Sequence, residues 1–207
     1  MDYCKIIEIC TSYNIRNYSI NQDGSIDVDG NVNLFRRNLI ELPLQFGIVT
    51  GSFKCVDNTL TSLNGSPKNV LGDFDCSHNL VTSLIGGPVA VGGDYCIGAN
   101  NLPNLVGCPH RIGGHLYLEG SMLSTYSENV DIEVNGLVYY NSSHLYEEYM
   151  LGNCYIYPSL PILLTNNIRH IKLILKYQRY FEIWNDDLSL NEENFEILKY
   201  EIEDGLK

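Results

Sequence analysis

Gly51-Ser52-Phe53-Lys54-Cys55-Val56-Asp57-Asn58-Thr59-Leu60-Thr61-Ser62-Leu63-Asn64-Gly65-Ser66-Pro67 is answered by Gly72-Asp73-Phe74-Asp75-Cys76-Ser77-His78-Asn79-Leu80-Val81-Thr82-Ser83-Leu84-Ile85-Gly86-Gly87-Pro88. The second stretch repeats the first at a spacing of 21 residues, and the same spacing reaches Gly30, Gly93 and Gly114. A fixed period of this length marks stacked units, each hiding in its neighbour the apolar edge it cannot bury alone.

The positions within a unit carry the local structure. Val32, Phe53, Phe74, Tyr95 and Leu116 stand two residues after the glycines, and Leu34, Cys55, Cys76, Ile97 and Leu118 stand four after. Two apolar positions around one polar residue form a short strand with one buried face. Asn58, Asn79 and Asn100 follow, with Arg37 and Ser121 in their place in the outer units. A buried Asn can donate its amide to carbonyls of the neighbouring turn and accept from N–H groups, which satisfies a corner. Apolar positions recur at Leu60 and Leu63 and their equivalents, and Gly65-Ser66-Pro67, Gly86-Gly87-Pro88 and Gly107-Cys108-Pro109 turn the chain back. Val49, Val70, Val91 and Ile112 close the units. No unit has room for a regular helix beside its strand. The chain is therefore expected to coil with a parallel sheet along one side.

Phe53-x-Cys55-x-x-Asn58-x-Leu60 fits the L-x-L-x-x-N-x-L heart of a leucine-rich repeat. Asp23-Gly24-Ser25-Ile26-Asp27-Val28-Asp29-Gly30, Leu42-Pro43 and the Leu-Thr-Ser-Leu-x-Gly-x-Pro tails add a narrower likeness. Together they resemble the leucine-rich-repeat proteins of unknown role encoded by tailed bacteriophages, over roughly residues 15–125. An unrelated β-solenoid of the same period remains the alternative. The fourth unit departs from the pattern at Leu102-Pro103-Asn104-Leu105, and the fifth lacks the Asn and the Gly-x-Pro. The resemblance implies a fold and a phage origin, with no defined activity.

The expected fold class is thus α/β: a short leucine-rich-repeat-like solenoid with a parallel strand face and caps at both ends. Residues 1–29 form a small N-terminal cap, with a helix over 2–14 and a hairpin from Tyr18 to Val28 turning at Asn21–Gly24. Residues 30–134 hold five repeats. Residues 135–165 form a Tyr-rich irregular or strand cap, in which Asn135-Gly136 signals a hairpin between Val130–Val134 and Leu137–Tyr140. Its six tyrosines between Tyr139 and Tyr157 pack a cap or supply an interface. Residues 166–207 form a helical hairpin, with Ile171, Ile174, Tyr177 and Phe181 on one face and a Ser189-x-x-Glu192 capping box before the second helix. Arg169, Lys172, Lys176 and Arg179 make a basic stripe expected to pair with the acidic second helix.

The chain has 207 residues, 44% hydrophobic, with a formal charge of −12. That balance disfavours binding to nucleic-acid phosphates or anionic membranes and permits a basic protein partner. The start lacks a signal-peptide layout, so the expected location is cytoplasmic, in the host for a phage protein. Seven cysteines without a Cys-x-x-Cys pair read as reduced core thiols, and no metal or cofactor is expected. Asp27 and Asp29 resemble part of a calcium loop, but Arg36 stands where the bidentate Glu belongs. Nucleophile turns, phosphate loops and paired histidines are missing from the sequence, so an enzyme is not expected.

The remaining candidates are the outward side chains of the strands: Asn33, Phe35, Lys54, Asp73, Asp75, Asp94, His115, Tyr117 and Glu119. Asp73, Asp75 and Asp94 make an acidic centre whose mutual repulsion costs stability, beyond what solubility requires. The expected function is non-enzymatic protein binding, in which a phage protein inhibits or redirects a host protein, including a defence component, through this face. A self-assembling accessory role and an acidic nucleic-acid mimic are the alternatives, and a solvated strand face is the bland one.

Overall fold

The computed structural model describes residues 2–120, 126, 132–139 and 161–207. Helix α1 (Tyr3–Ser12) leads, with Ile6 and Cys10 buried four residues apart on one side. Asn14, at φ +55°, ends it, and the Ile15 N–H returns to the Cys10 carbonyl at 2.8 Å. The antiparallel hairpin of β1 (Tyr18–Ile20) and β2 (Ile26–Val28) follows.

Each coil then contributes to two parallel sheets. β3 (Val32–Asn33), β5 (Phe53–Lys54), β7 (Phe74–Asp75), β9 (Tyr95–Cys96), β11 (Leu116–Tyr117) and β13 (Val138–Tyr139) form a six-stranded sheet. β4 (Phe46–Val49), β6 (Asn69–Val70), β8 (Ala90–Val91), β10 (Arg111–Ile112) and β12 (Glu133–Val134) extend the hairpin into a seven-stranded sheet. The single sheet expected from the sequence is therefore one of two. The valine or isoleucine closing each unit is itself the last residue of a strand, in register with its counterpart one coil away.

The repeat glycines stand where backbones meet. The N–H of Gly51, Gly72, Gly93 and Gly114 each donates to the carbonyl of the preceding glycine, at 2.8–3.1 Å. A Cβ on Gly93 would lie 2.9 Å from the Gly72 carbonyl carbon and 2.2 Å from Asp73 Oδ1. Close approach, not a positive φ, selects glycine here. At the other turn, Gly65, Gly86 and Gly107 do adopt φ of +96°, +89° and +88°. Gly136 joins the first column, its N–H on the Gly114 carbonyl at 2.8 Å. The hairpin expected at Asn135-Gly136 is accordingly absent: β12 pairs with β10 and β13 with β11, both parallel.

The corner asparagines behave as expected. Asn79 Nδ2 donates to the carbonyls of Cys55 (2.9 Å) and Cys76 (3.0 Å), and its Oδ1 accepts from the Leu60 N–H (3.0 Å). Asn58 and Asn100 repeat the pattern one coil away on either side. The residue before each corner, Arg36, Asp57, His78 and Ala99, is left-handed, with φ between +51° and +57°. Inside, Phe53 and Phe74 stack at 5.7 Å and Tyr95 continues the column at 5.5 Å. Complete burial of each such ring contributes about 1.5–3 kcal/mol.

α2 (Ile162–Asn166), α3 (Ile171–Tyr177) and α4 (Glu192–Glu203) complete the described chain. Ile171 and Leu175 of α3 enter the solenoid core, and the Ile132 N–H donates to the Leu175 carbonyl at 3.3 Å. Ile174 faces the other way, into a second cluster with Leu164, Ile183, Phe195, Leu198 and Ile202. Asn191, not Ser189, caps α4, accepting from the Asn194 N–H at 3.1 Å. Ser189 is turned onto Asp187, which accepts its N–H at 2.9 Å. The expected charge pairing of these helices is also replaced in part. Lys172 and Lys176 donate to the carbonyls of Asn135 (3.1 Å) and Lys207 (3.5 Å). The tyrosines at 140–157 lie outside the described residues.

Candidate functional site

The six-stranded sheet turns its outward side chains into rows. One row runs Asn33, Lys54, Asp75, Cys96, Tyr117 and Tyr139, each in register with the next. A second row, just after the glycines, runs Asn31, Ser52, Asp73, Asp94, His115 and Leu137. Phe35 and Glu119 lie one strand step further on.

The second row is occupied by the fold itself. Asn31 Oδ1 accepts from the Ser52 N–H (2.8 Å), Ser52 Oγ from the Asp73 N–H (3.1 Å), and Asp73 Oδ1 from the Asp94 N–H (3.0 Å). Asp94 Oδ1 accepts from the His115 N–H (2.7 Å), and His115 Nδ1 from the Leu137 N–H (2.9 Å). Each side chain thus satisfies a backbone donor one coil away, using a short acceptor that reaches across one strand spacing of about 4.8 Å. Asp73, Asp94 and His115 therefore have a structural task that accounts for the tolerated crowding of charge. Asp27 and Asp29 do similar work, accepting from the Ile48 N–H (2.7 Å) and Thr50 Oγ1 (2.8 Å).

The first row is left facing solvent. Lys54 and Asn33 are exposed, and Asp75, Cys96 and Tyr117 are half-buried. Asn33 and Asp75 each use one oxygen locally, on the Phe35 N–H (3.0 Å) and the Ser77 N–H (3.1 Å). Tyr117 and Tyr139 stack with centroids 4.6 Å apart, and the His115 ring meets both edge-on at 6.0 and 5.6 Å. Beside this stack the carboxylates outweigh Lys54. Burial, then Asp75, Asp94 and Asp73, push the Cys96 thiol up to about 12. Burial and then Asp94 likewise raise the Tyr117 hydroxyl. A negative potential next to exposed aromatic faces suits a cationic group, by Coulomb attraction and by cation–π contact.

The nine side chains singled out in the sequence share one face, but they are not equivalent. Asn33, Lys54, Asp75 and Tyr117 lie in the free row. Asp73, Asp94 and His115 belong to the ladder, and Phe35, though exposed, has the Arg36 guanidinium 4.9 Å above its ring centroid. Glu119, half-buried, flanks the aromatic end. Tyr139 is the residue the sequence reading left out of the face. Its signal was Gly136-Leu137-Val138-Tyr139, a further copy of Gly114-His115-Leu116-Tyr117 displaced by one inserted residue.

A cleft of about 730 Å³ lies among the C-terminal elements, lined in part by Trp184, Asn185, Asn191 and Asn194. Three of its polar side chains are turned onto their own chain. Trp184 Nε1 donates to Gln178 Oε1 (3.0 Å), Asn185 Nδ2 to Ser189 Oγ (2.9 Å) and Asn194 Nδ2 to the Glu182 carbonyl (3.1 Å). It offers less to a ligand than the strand face does. Among the described residues, no helix is long and apolar enough to cross a membrane. No protein-family model matches the chain, and no curated protein or solved structure is significantly similar to it.

Proposed function

We propose that this chain is a non-enzymatic protein-binding module whose six-stranded sheet receives a basic patch of a partner protein. The observation that carries the reading is the Tyr117–Tyr139 stack, partly exposed beside Asp94 and Glu119 and two strands from Asp75. Stacked tyrosines lose little rotamer entropy on binding and give contact area, and the carboxylates favour lysine or arginine opposite them. In this reading the coils are a leucine-rich-repeat-like solenoid, α1 with the β1–β2 hairpin caps one end, and α3 and α4 cap the other. The phage-like repeat makes a host protein, including a defence component, the proposed partner, and the host cytoplasm the proposed location.

The test is capture from bacterial lysate at low salt with the native chain, beside Asp75→Lys and Tyr117→Ala/Tyr139→Ala variants. These substitutions leave the backbone ladder in place. A protein held by the native chain, released by moderate salt and lost from both variants supports the proposal. Equal retention by all three chains would place the binding surface elsewhere.

A further inference from the structure

We infer that the free edge of β3 receives an extended acidic segment of another protein as an added strand. Within the six-stranded sheet, each coil donates N–H groups to the next: Val32 to the Ser52 carbonyl (2.9 Å), Leu34 to Lys54 (2.7 Å) and Arg36 to Val56 (3.1 Å). Strand alternation turns Asn31, Asn33 and Phe35 the other way, toward the N-terminal end of the sheet. Among the described residues of the later coils, the equivalent carbonyls, from Ser52, Lys54 and Val56 to Leu137 and Tyr139, are filled by the coil before. On this first coil the carbonyls of Asn31, Asn33 and Phe35 accept no hydrogen bond among the described residues. The other sheet differs, because β1 pairs along β2 and closes its first coil.

Three acceptors at alternate positions, with the Asn33 N–H between them, form the template to which an extended chain adds. The slot has defined ends. Gly30 at φ +127° and Arg36 at φ +53° turn the backbone away on either side, leaving residues 31–35. Asn31, Asn33 and Phe35 are all exposed. The occupant's charge follows from Arg37, exposed at the end of the slot beside an Arg36 that is paired with Asp57, in a chain of net charge −12. An acidic segment is attracted there, whereas a second copy of this chain brings its own excess of acid and is repelled. This edge is distinct from the outward face proposed above, so either reading can fail without the other.

The experiment is an NMR titration of the amide-labelled full chain with a short blocked peptide of alternating glutamate and valine. The expected result is saturable shifts confined to residues 31–37. Affinity should be at least tenfold weaker for a lysine–valine peptide, and weaker in Arg37→Ala. Asn33→Pro removes the outward N–H and puts a ring on the edge while keeping the Val32 and Leu34 bonds to β5. It should lower affinity at least tenfold with the rest of the spectrum unchanged. If that variant misfolds, a glutamate–valine peptide N-methylated at alternate positions makes the same test on the native chain. No saturable shift, equal binding of the basic or N-methylated peptide, or full affinity in a folded Asn33→Pro variant would overturn the inference. Peptide-independent shifts that grow with protein concentration would overturn it too, by showing that the edge pairs with a second copy.

Discussion

Replacing Asp73 in two ways separates its charge from its hydrogen bond. Its Oδ1 accepts the Asp94 N–H at 3.0 Å, and its carboxylate shares the face with Asp75 and Asp94. Asp73→Ala leaves that half-buried N–H without its acceptor. A hydrogen bond to a charged group is worth about 1.5–3 kcal/mol, and water will replace part of it here, so a loss of about 1–2 kcal/mol is expected. Asp73→Asn keeps an acceptor oxygen and removes one like charge, a relief of about 0.2–1 kcal/mol. That variant should match or slightly exceed the native stability, with a gain that shrinks as salt is added. Urea unfolding followed by circular dichroism at neutral pH measures both, provided the m-values agree. If Asn proves as damaging as Ala, the charge and not the acceptor matters. If Ala has no effect, the ladder does not stabilise the fold.

Four further outcomes are expected. Asn79→Ala strands the Cys55 and Cys76 carbonyls and the Leu60 N–H, and should cost about 3–5 kcal/mol in urea unfolding; a loss below about 1 kcal/mol contradicts the corner account. Gly93→Ala should destabilise more than Gly24→Ala, since its Cβ meets the Gly72 carbonyl carbon at 2.9 Å as well as Asp73 Oδ1 at 2.2 Å, while that of Gly24 meets nothing within 4 Å and adds only the strain of φ +83°; thermal melts in the reverse order refute the close-approach argument. Tyr95→Phe should stabilise by about 1 kcal/mol, because the buried hydroxyl has no hydrogen-bond partner among the described residues, and a lowered melting temperature would show that it has one. Thiol alkylation followed by peptide mass analysis should modify exposed Cys4 first and leave buried Cys55, Cys76 and Cys108 unreacted. Cys96 should react faster with each rise in pH without levelling off below its value of about 12.

The period made the strands, the corner asparagines and the Gly-x-Pro turns legible, because each needs a residue type at a fixed place. The second sheet was harder to read. Its two-residue strands, such as Asn69–Val70 and Arg111–Ile112, are too short to show an alternation. The ladder was present in the composition of one column. Asn31, Ser52, Asp73, Asp94 and His115 all carry a short hydrogen-bond acceptor, which a column of merely solvated positions would not require. Gly120 similarly marked the left-handed column of Arg36, Asp57, His78 and Ala99. The capping box read at Ser189 misplaced the α4 cap, because Asp187 engages the serine and Asn191 takes the role. The expected pairing of the basic stripe with α4 was replaced at Lys172 because the end of the solenoid places the Asn135 carbonyl within its reach.

The most direct test of the binding account is a photo-crosslinking amino acid placed in turn at Tyr117, in the free row of the six-stranded sheet, and at Ile48, exposed on the other sheet. Irradiation of each chain with lysate of the proposed host should yield a partner adduct from position 117, suppressed by moderate salt, and none from position 48. Adducts formed only from position 48 would contradict the account.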